Sequence, residues 1–190
     1  QSTHSYANMG FETVHQQWGR YSLIEIMQAP GQVGYIGFYN DIIQWDFAPG
    51  NGFFTHSLGM LPLELAPPGG RIALIGAGAG RQVQYARKSG HDFEQILAIE
   101  IEPAVLDAVR GSLAGRFDHV YEDSQVQLVN REARSYMEGT DERFDLIYLP
   151  SVGGYPQMML EPGNMIRTIE AYKALSEHLT ERGVLAIWYP

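Results

Sequence analysis

From residue 71 onward, short apolar runs alternate with stretches whose apolar positions recur every three or four residues. The runs RIALIG (71–76), FEQILAIEI (93–101), SQVQLVN (124–130), RFDLIYLP (143–150) and GVLAIWYP (183–190) read as strands. Between them, 80–90, 103–115, 131–139 and 164–180 carry helical spacing. Gly90 and Gly139 are good helix stops, and Pro103 suits a first helical turn. Strand and helix in strict alternation predict a parallel sheet with helices on both faces. Strands that are apolar throughout fit burial on both sides.

The front of the chain has a different texture. Residues 21–47 are rich in β-branched and aromatic residues around two turn signals, Ala29-Pro30-Gly31-Gln32 and Asn40-Asp41, and predict a small antiparallel sheet. Residues 53–65, FFTHSLGMLPLEL, read as a short helix or mixed segment. APPGG at 66–70 cannot continue a helix or an inner strand, so the expected domains are 1–65 and 66–190. The expected fold is thus α/β: a Rossmann-like parallel sheet, truncated after strand five, preceded by a β-hairpin domain. An apolar strand at a sheet edge invites pairing. The expected partners therefore include further polypeptide, or a second copy of the chain, covering that edge.

Composition narrows the function classes. The 190 residues carry 13 Lys+Arg against 22 Asp+Glu, a formal charge of −9. With no basic run, nucleic acid is a poor partner. The absence of cysteine excludes thiol catalysis, disulfide scaffolds and cysteine-bound zinc. The histidines, at 4, 15, 56, 91, 119 and 178, show no i, i+4 pair, so no metal is expected. No apolar run reaches the roughly 18 residues of a membrane span, and no signal peptide is visible. A cytoplasmic or membrane-associated soluble domain is expected. The chain begins on Gln1, as a processed or excised piece would.

The chemistry concentrates at Gly76-Ala77-Gly78-Ala79-Gly80, between a predicted strand and a predicted helix. Glycines there permit a sharp turn and close backbone approach to a ligand, and the following helix N-terminus adds amide donors. Glu100 follows Gly76 by 24 residues, near the roughly 20 expected of an acid that binds a ribose diol. A carboxylate accepts two hydrogen bonds from vicinal hydroxyls; a solvated strand-end acid is the plainer reading. Glu102 is a second, weaker candidate. A dinucleotide fingerprint would need glycine at 81, where Arg81 stands. G-x-G-x-G resembles instead the class I folds that bind S-adenosylmethionine. In those folds an acid after strand three often meets the adenine, the place here of Glu132 with Ala133. Glu132 reads equally well as an acid at a helix N-terminus. Arg81 has two open readings, a contact to a ligand carboxylate or a solvated first-turn arginine. Leu74 stands where methyltransferases of this fold often carry an acid.

Taken in order, RIALIGAGAGRQV, AIEIEPAVLDAVR, VNREARSYM, RFDLIYLPSVGGYP and TIEAYKALSEHLTERGVLAI resemble the spermidine/spermine synthase family. FYNDIIQWDF resembles that family's D-G-x-x-Q hairpin, with Gln44 on the glutamine, and FFTHSLGMLPLEL its Y-H-E segment, with His56 on the histidine. The resemblance covers residues ~20–190. It implies an N-terminal β-hairpin domain with a Rossmann-like domain, and S-adenosylmethionine or decarboxylated S-adenosylmethionine as the adenosyl ligand. The late segments look most like a branch fused to a membrane-spanning part, which implies a membrane-anchored parent protein.

Polyamine synthases move an aminopropyl group to an amine that acids must hold and deprotonate. The resemblance places those acids on Ala79, Pro150 and Gly153, none of which can take a proton, whereas the glycines, Glu100 and Glu132 remain. Losing a general base costs about 10²–10⁴-fold in rate. Tyr148 and Tyr155 flank the altered segment as weak alternatives, and 153–156 reads as a lid or a plain connecting loop. Gln44, Trp45 and His56 could line the ligand pocket or simply pack. Two functions follow: a transferase of methyl or aminopropyl type with altered or lost catalysis, or a non-catalytic structural module of the same ancestry. An NAD(P)-binding protein is a weaker third.

Overall fold

The computed structural model describes residues 2–31, 34–50, 58–150 and 162–188, with 162–164 described by backbone alone. Packing groups the chain into two compact units. The first comprises Gln1–His56, Gly78–Arg81 and Glu102–Glu122; the second comprises Ser57–Ala77, Gln82–Ile101 and Asp123–Pro190.

The first unit is built on a four-stranded antiparallel sheet in the order β1 (Glu12–Trp18), β2 (Leu23–Gln28), β3 (Tyr35–Tyr39), β4 (Ile42–Phe47), preceded by helix α1 (Thr3–Asn8). Asn40 and Asp41 turn β3 into β4 with φ of 48° and 66°. Two consecutive left-handed residues make the tight turn that matches strand twist, and Asn and Asp tolerate it best. The expected sheet over 21–47 is present, enlarged by β1 and α1, which the sequence reading did not assign. β1 hides from pattern analysis because it is half-exposed and polar, ETVHQQW. In β4 the register passes from Gly37↔Trp45 to Phe38↔Ile43, which leaves Gln44 as the extra residue of a β-bulge. The core of this unit is aromatic. Phe117 packs on Tyr35 at 5.0 Å, Phe47 at 4.8 Å and Trp45 at 6.1 Å between ring centroids.

The second unit holds a five-stranded parallel sheet: β5 (Arg71–Ile75), β6 (Gln95–Glu100), β7 (Val126–Asn130), β8 (Phe144–Pro150) and β9 (Leu179–Trp188), in the order β7-β6-β5-β8-β9. Strand order reverses at β5, the kind of switch point whose strand C-termini form ligand crevices in open α/β sheets. Successive side chains of β5 point to opposite faces, yet Ile72, Ala73, Leu74 and Ile75 are all buried, as an inner strand requires. On one face Ala73, Ile75, Leu97, Ile99, Ile147 and Leu149 pack with Ala133 and Met137 of α5 (Ala133–Met137) and Ala171 and Leu175 of α6 (Ile169–Glu177). Each fully buried Leu, Ile or Met contributes about 1.5–3 kcal/mol.

The remaining helices are α2 (Leu61–Leu65) and α3 (Arg81–Lys88), and, in the first unit, α4 (Pro103–Arg110). Three expectations change. The single helix over 164–180 is a 3-10 turn, Pro162–Arg167, followed by α6. Thr168 breaks it: its extended backbone and its hydroxyl, which accepts the Ala171 amide at 3.1 Å, start a new helix. The helix over 103–115 stops at Arg110, because Gly111 leaves helical geometry. The fifth strand starts at Leu179 rather than 183, and its Thr180 hydroxyl donates to Asp145 on β8 at 2.8 Å. β9 is an edge strand with Val184 and Ile187 exposed. Among the described residues no helix is long and apolar enough to cross a membrane, and no cluster of three or more His, Asp or Glu is placed to hold a metal.

Candidate functional site

Four sequence candidates meet along the C-terminal ends of the parallel strands. Pro150 closes β8, Gly76 follows β5, Glu100 ends β6 and Glu132 lies just past β7. Neighbouring strands hold them in that order. The carbonyl of Ile99 accepts both the Gly76 amide at 2.8 Å and the Ala77 amide at 3.0 Å. The first half of the glycine turn is thereby tied to the residue immediately before Glu100. Glu100 is only 4% exposed, and its backbone carbonyl accepts from the Asn130 amide side chain at 2.8 Å. A solvated strand-end acid, the plainer alternative for Glu100, does not describe this placement.

Glu132 caps α5. One oxygen accepts the Arg134 amide at 2.9 Å, and the other accepts the Ser135 amide and hydroxyl, each at 2.8 Å. The helix-end reading accounts for this side chain, and Ala133 is the first buried residue behind it. Glu102 is 1% exposed and belongs to the first unit. Its carboxylate accepts the amides of Arg20 at 2.9 Å, Tyr21 at 3.0 Å and Ala104 at 3.3 Å. It therefore pins the β1–β2 turn to the start of α4, a structural role that sequence spacing did not reveal. Tyr148, a catalytic candidate, is fully buried and donates its hydroxyl to the Gly59 carbonyl. Pro150 is buried at the end of β8. His56, Gly153 and Tyr155 lie outside the described residues.

In the first unit, β4 runs beside residues 78–81. Gly78 and Gly80 have φ of 53° and 88°. A Cβ on Gly78 would sit 2.9 Å from Trp45 Cδ1, and one on Gly80 2.6 Å from Val120 Cγ1. The Gly78 carbonyl accepts the Tyr121 hydroxyl at 2.8 Å. These glycines are thus required by packing of the protein against itself as well as by the turn. Ala79 between them is buried at 1% exposure. Trp45 also covers Gly37, where a Cβ would fall 2.0 Å from its ring, so two glycines make room for one indole.

Arg81 forms an ion pair with Asp46, Nη1 to Oδ1 at 2.8 Å, so it is not the solvated first-turn arginine of the plainer reading. The other oxygen of Asp46, Oδ2, is enclosed without a hydrogen-bond partner among the described residues, as is Trp45 Nε1. An enclosed polar atom left unmatched costs about 1–3 kcal/mol. Burial pushes the Asp46 carboxyl above the ordinary aspartate range, and the charge and hydrogen bond of Arg81 only partly offset it. Asp46 escaped sequence reading because its partner lies 35 residues away and Asp46 itself sits in no recognisable spacing.

A profile described as "Spermine/spermidine synthase domain" matches residues 53–187. The chain belongs to this family. Among curated relatives of this spermine/spermidine synthase domain, the polyamine aminopropyltransferase of Ruegeria sp. (strain TM1040) is 24% identical over 156 residues, 82% of this chain and 52% of that protein. Polyamine aminopropyltransferase 1 of Pseudomonas aeruginosa is 27% identical over 115 residues, 60% of this chain and 38% of that protein. The domain thus spans about half the length, or less, of these relatives. A spermidine synthase solved in complex with the transition-state analogue AdoDATO superposes with a TM-score of 0.74 at 20% identity, covering 92% of this chain and 57% of that one. The Thermotoga maritima spermidine synthase superposes with a TM-score of 0.70 at 20% identity, over 92% and 55%. The fold of the domain, a parallel five-stranded sheet with helices plus an antiparallel four-stranded sheet, is that of the spermidine synthases.

Proposed function

We propose that this spermidine synthase-like domain binds an adenosyl ligand, S-adenosylmethionine or its decarboxylated form, on the glycine turn, with Glu100 accepting the ribose hydroxyls. One observation carries the reading. The buried carboxylate of Glu100 ends β6 beside Gly76, and the Ile99 carbonyl fixes that neighbourhood from the backbone. A ligand diol matches a desolvated carboxylate because it returns two hydrogen bonds at once. Ordinary aminopropyl transfer is not what the residues support. Pro150 cannot act as a base, and Ala79 offers no acid to an amine. Any transfer of a methyl or aminopropyl group therefore has another arrangement or another acceptor.

The alternative, a non-catalytic module of the same ancestry, is supported by the packing of Trp45 and Val120 on Gly78 and Gly80. Calorimetric titration with S-adenosylmethionine, decarboxylated S-adenosylmethionine, methylthioadenosine and NAD separates the two. The expected result is binding of adenosyl ligands, with Glu100→Ala weakening it by roughly 1–3 kcal/mol, about 5- to 150-fold. Absence of heat with every adenosyl ligand leaves the module reading standing.

A further inference from the structure

Within the first unit, the turn between β1 and β2 and the strand residue before it expose three side chains that the adenosyl site does not use. The turn closes on the Gly19 amide, which donates to the Ser22 carbonyl at 2.8 Å. From inside it is gripped by Glu102, whose two oxygens take the Arg20 and Tyr21 amides, and a Cβ on Gly19 would fall 2.1 Å from Oε1 of that carboxylate. A buried carboxylate bonded to successive amides fixes the backbone there. The side chains left outside are Trp18 at 75% exposure, Tyr21 at 42% and exposed Arg20. The Arg20 guanidinium has no partner among the described residues. Trp, Tyr and Arg carry most of the binding energy in protein–protein interfaces, and a backbone already ordered loses less freedom on docking.

Strand register extends this cluster onto one face of the antiparallel sheet. Trp18 lies opposite Leu23 and Gln16 opposite Glu25, and residues paired in this way share a face. Gln16 donates to Oε1 of Glu25 at 3.0 Å, and Oε2 meets none of the described residues. α1 covers the same face further in, where Tyr6 packs on Phe38, the neighbour of Glu25 on β3, but it leaves Trp18 uncovered. Along the hairpin the order is therefore acid, apolar centre, cation: Glu25, then Trp18 with Leu23, then Arg20. We propose that this patch is the contact of an isologous dimer, in which Arg20 of each copy meets Glu25 of the other across the paired Trp18 and Leu23 side chains. In a two-fold interface every contact occurs twice, so the patch must be complementary to itself. A two-fold axis through the apolar centre lays cation over acid on both sides. An acidic partner would instead be repelled by Glu25, and a basic one by Arg20. The dimer contact is independent of the adenosyl reading.

Sedimentation equilibrium of the whole chain tests the proposal. The wild type is expected to dimerise reversibly at micromolar concentration. Trp18→Ala should weaken dimerisation at least about 30-fold, the size of a hot-spot truncation, because the change enters the interface twice. Charge reversal separates specific pairing from net charge. The chain already carries −9. Arg20→Glu makes it more acidic and Glu25→Arg less, so a general charge effect would move dimerisation in opposite directions. Specific pairing instead requires that each reversal alone weaken dimerisation about tenfold or more, and that the double reversal restore it. A chain that stays monomeric at high micromolar concentration overturns the proposal. So does a dimer indifferent to Trp18→Ala, or one weakened by only one of the two reversals. Trp18 is exposed, so Trp18→Ala keeps the fold even where Glu25→Arg does not, and that variant alone decides between this interface and another.

Discussion

The two ends of the parallel sheet are held in different ways. At the N-terminal end, side chains bond to one another across strands. Arg71 reaches Gln95 through Nε at 2.9 Å and Glu142 at 2.7 Å, Gln95 meets Gln127, Tyr136 donates to Glu142 at 2.9 Å, and Asp145 takes the Arg71 amide at 2.9 Å and the Thr180 hydroxyl at 2.8 Å. At the C-terminal end the ties run through the backbone: Ile99 to the glycine turn, the Glu100 carbonyl to Asn130, Glu132 to the amides of α5. A closed network of side chains holds strands together. Backbone ties hold a loop in shape while using few of its side chains. The first end is thus tied by its side chains, and the second keeps the arrangement that the proposed ligand site requires.

The largest expected effect tests the structural end. Phe144 opens β8, is fully buried, and lies beneath the Arg71 guanidinium, 5.5 Å from the ring centroid. Phe144→Ala should cost about 3–5 kcal/mol, read by urea denaturation. Arg71→Ala should come next, at about 1–3 kcal/mol, because it leaves Glu142 and Gln95 short of a donor in a partly buried place. Neither substitution should move adenosyl affinity in protein that remains folded. A loss of affinity in Arg71→Ala at a temperature where the fold is intact would break the comparison. Glu100→Ala sharpens it from the other side, with weakened binding and a smaller change in denaturation midpoint than Arg71→Ala.

Much of this was legible in the sequence because the signals were local or periodic. Buried strands such as RIALI and QILAIE announce themselves by unbroken apolar runs, and the Asn40-Asp41 turn by residues that tolerate positive φ. Glu100 and the glycine turn were found by spacing. What stayed hidden depends on partners far apart in the chain. The Arg20 and Tyr21 amides that Glu102 holds lie 82 and 81 residues away. The Asp46–Arg81 pair spans 35 residues, and polar β1 becomes a strand only through its pairing with β2. Thr168 shows a subtler failure: amphipathic spacing continued across it, but its side chain competes for the backbone amide and restarts the helix.

The smallest expected effect is a pH dependence, and its sign separates Glu142 from Asp46. Burial, the largest single influence on Glu142, pushes its pKa up. Hydrogen bonds from Tyr136 and Gln95, the Arg71 charge and the Thr140 hydroxyl together outweigh it and hold the carboxyl below its ordinary value of 4.5. The stability Glu142 contributes is therefore present above pH 4.5 and is lost as pH falls through the depressed folded value. Asp46 runs the other way. Its folded pKa is raised above 3.8, burial being the main cause, so its contribution is present below 3.8 and is lost as pH rises through the raised value. In denaturation midpoints measured from pH 3 to pH 7, Glu142→Gln should flatten the acid limb. Asp46→Asn should instead remove a small decline on going toward neutral pH. A decline that persists in Asp46→Asn would mean that ionised Asp46 is better satisfied than its enclosed oxygen indicates. The N-terminal network would then not be the better matched of the two acid environments.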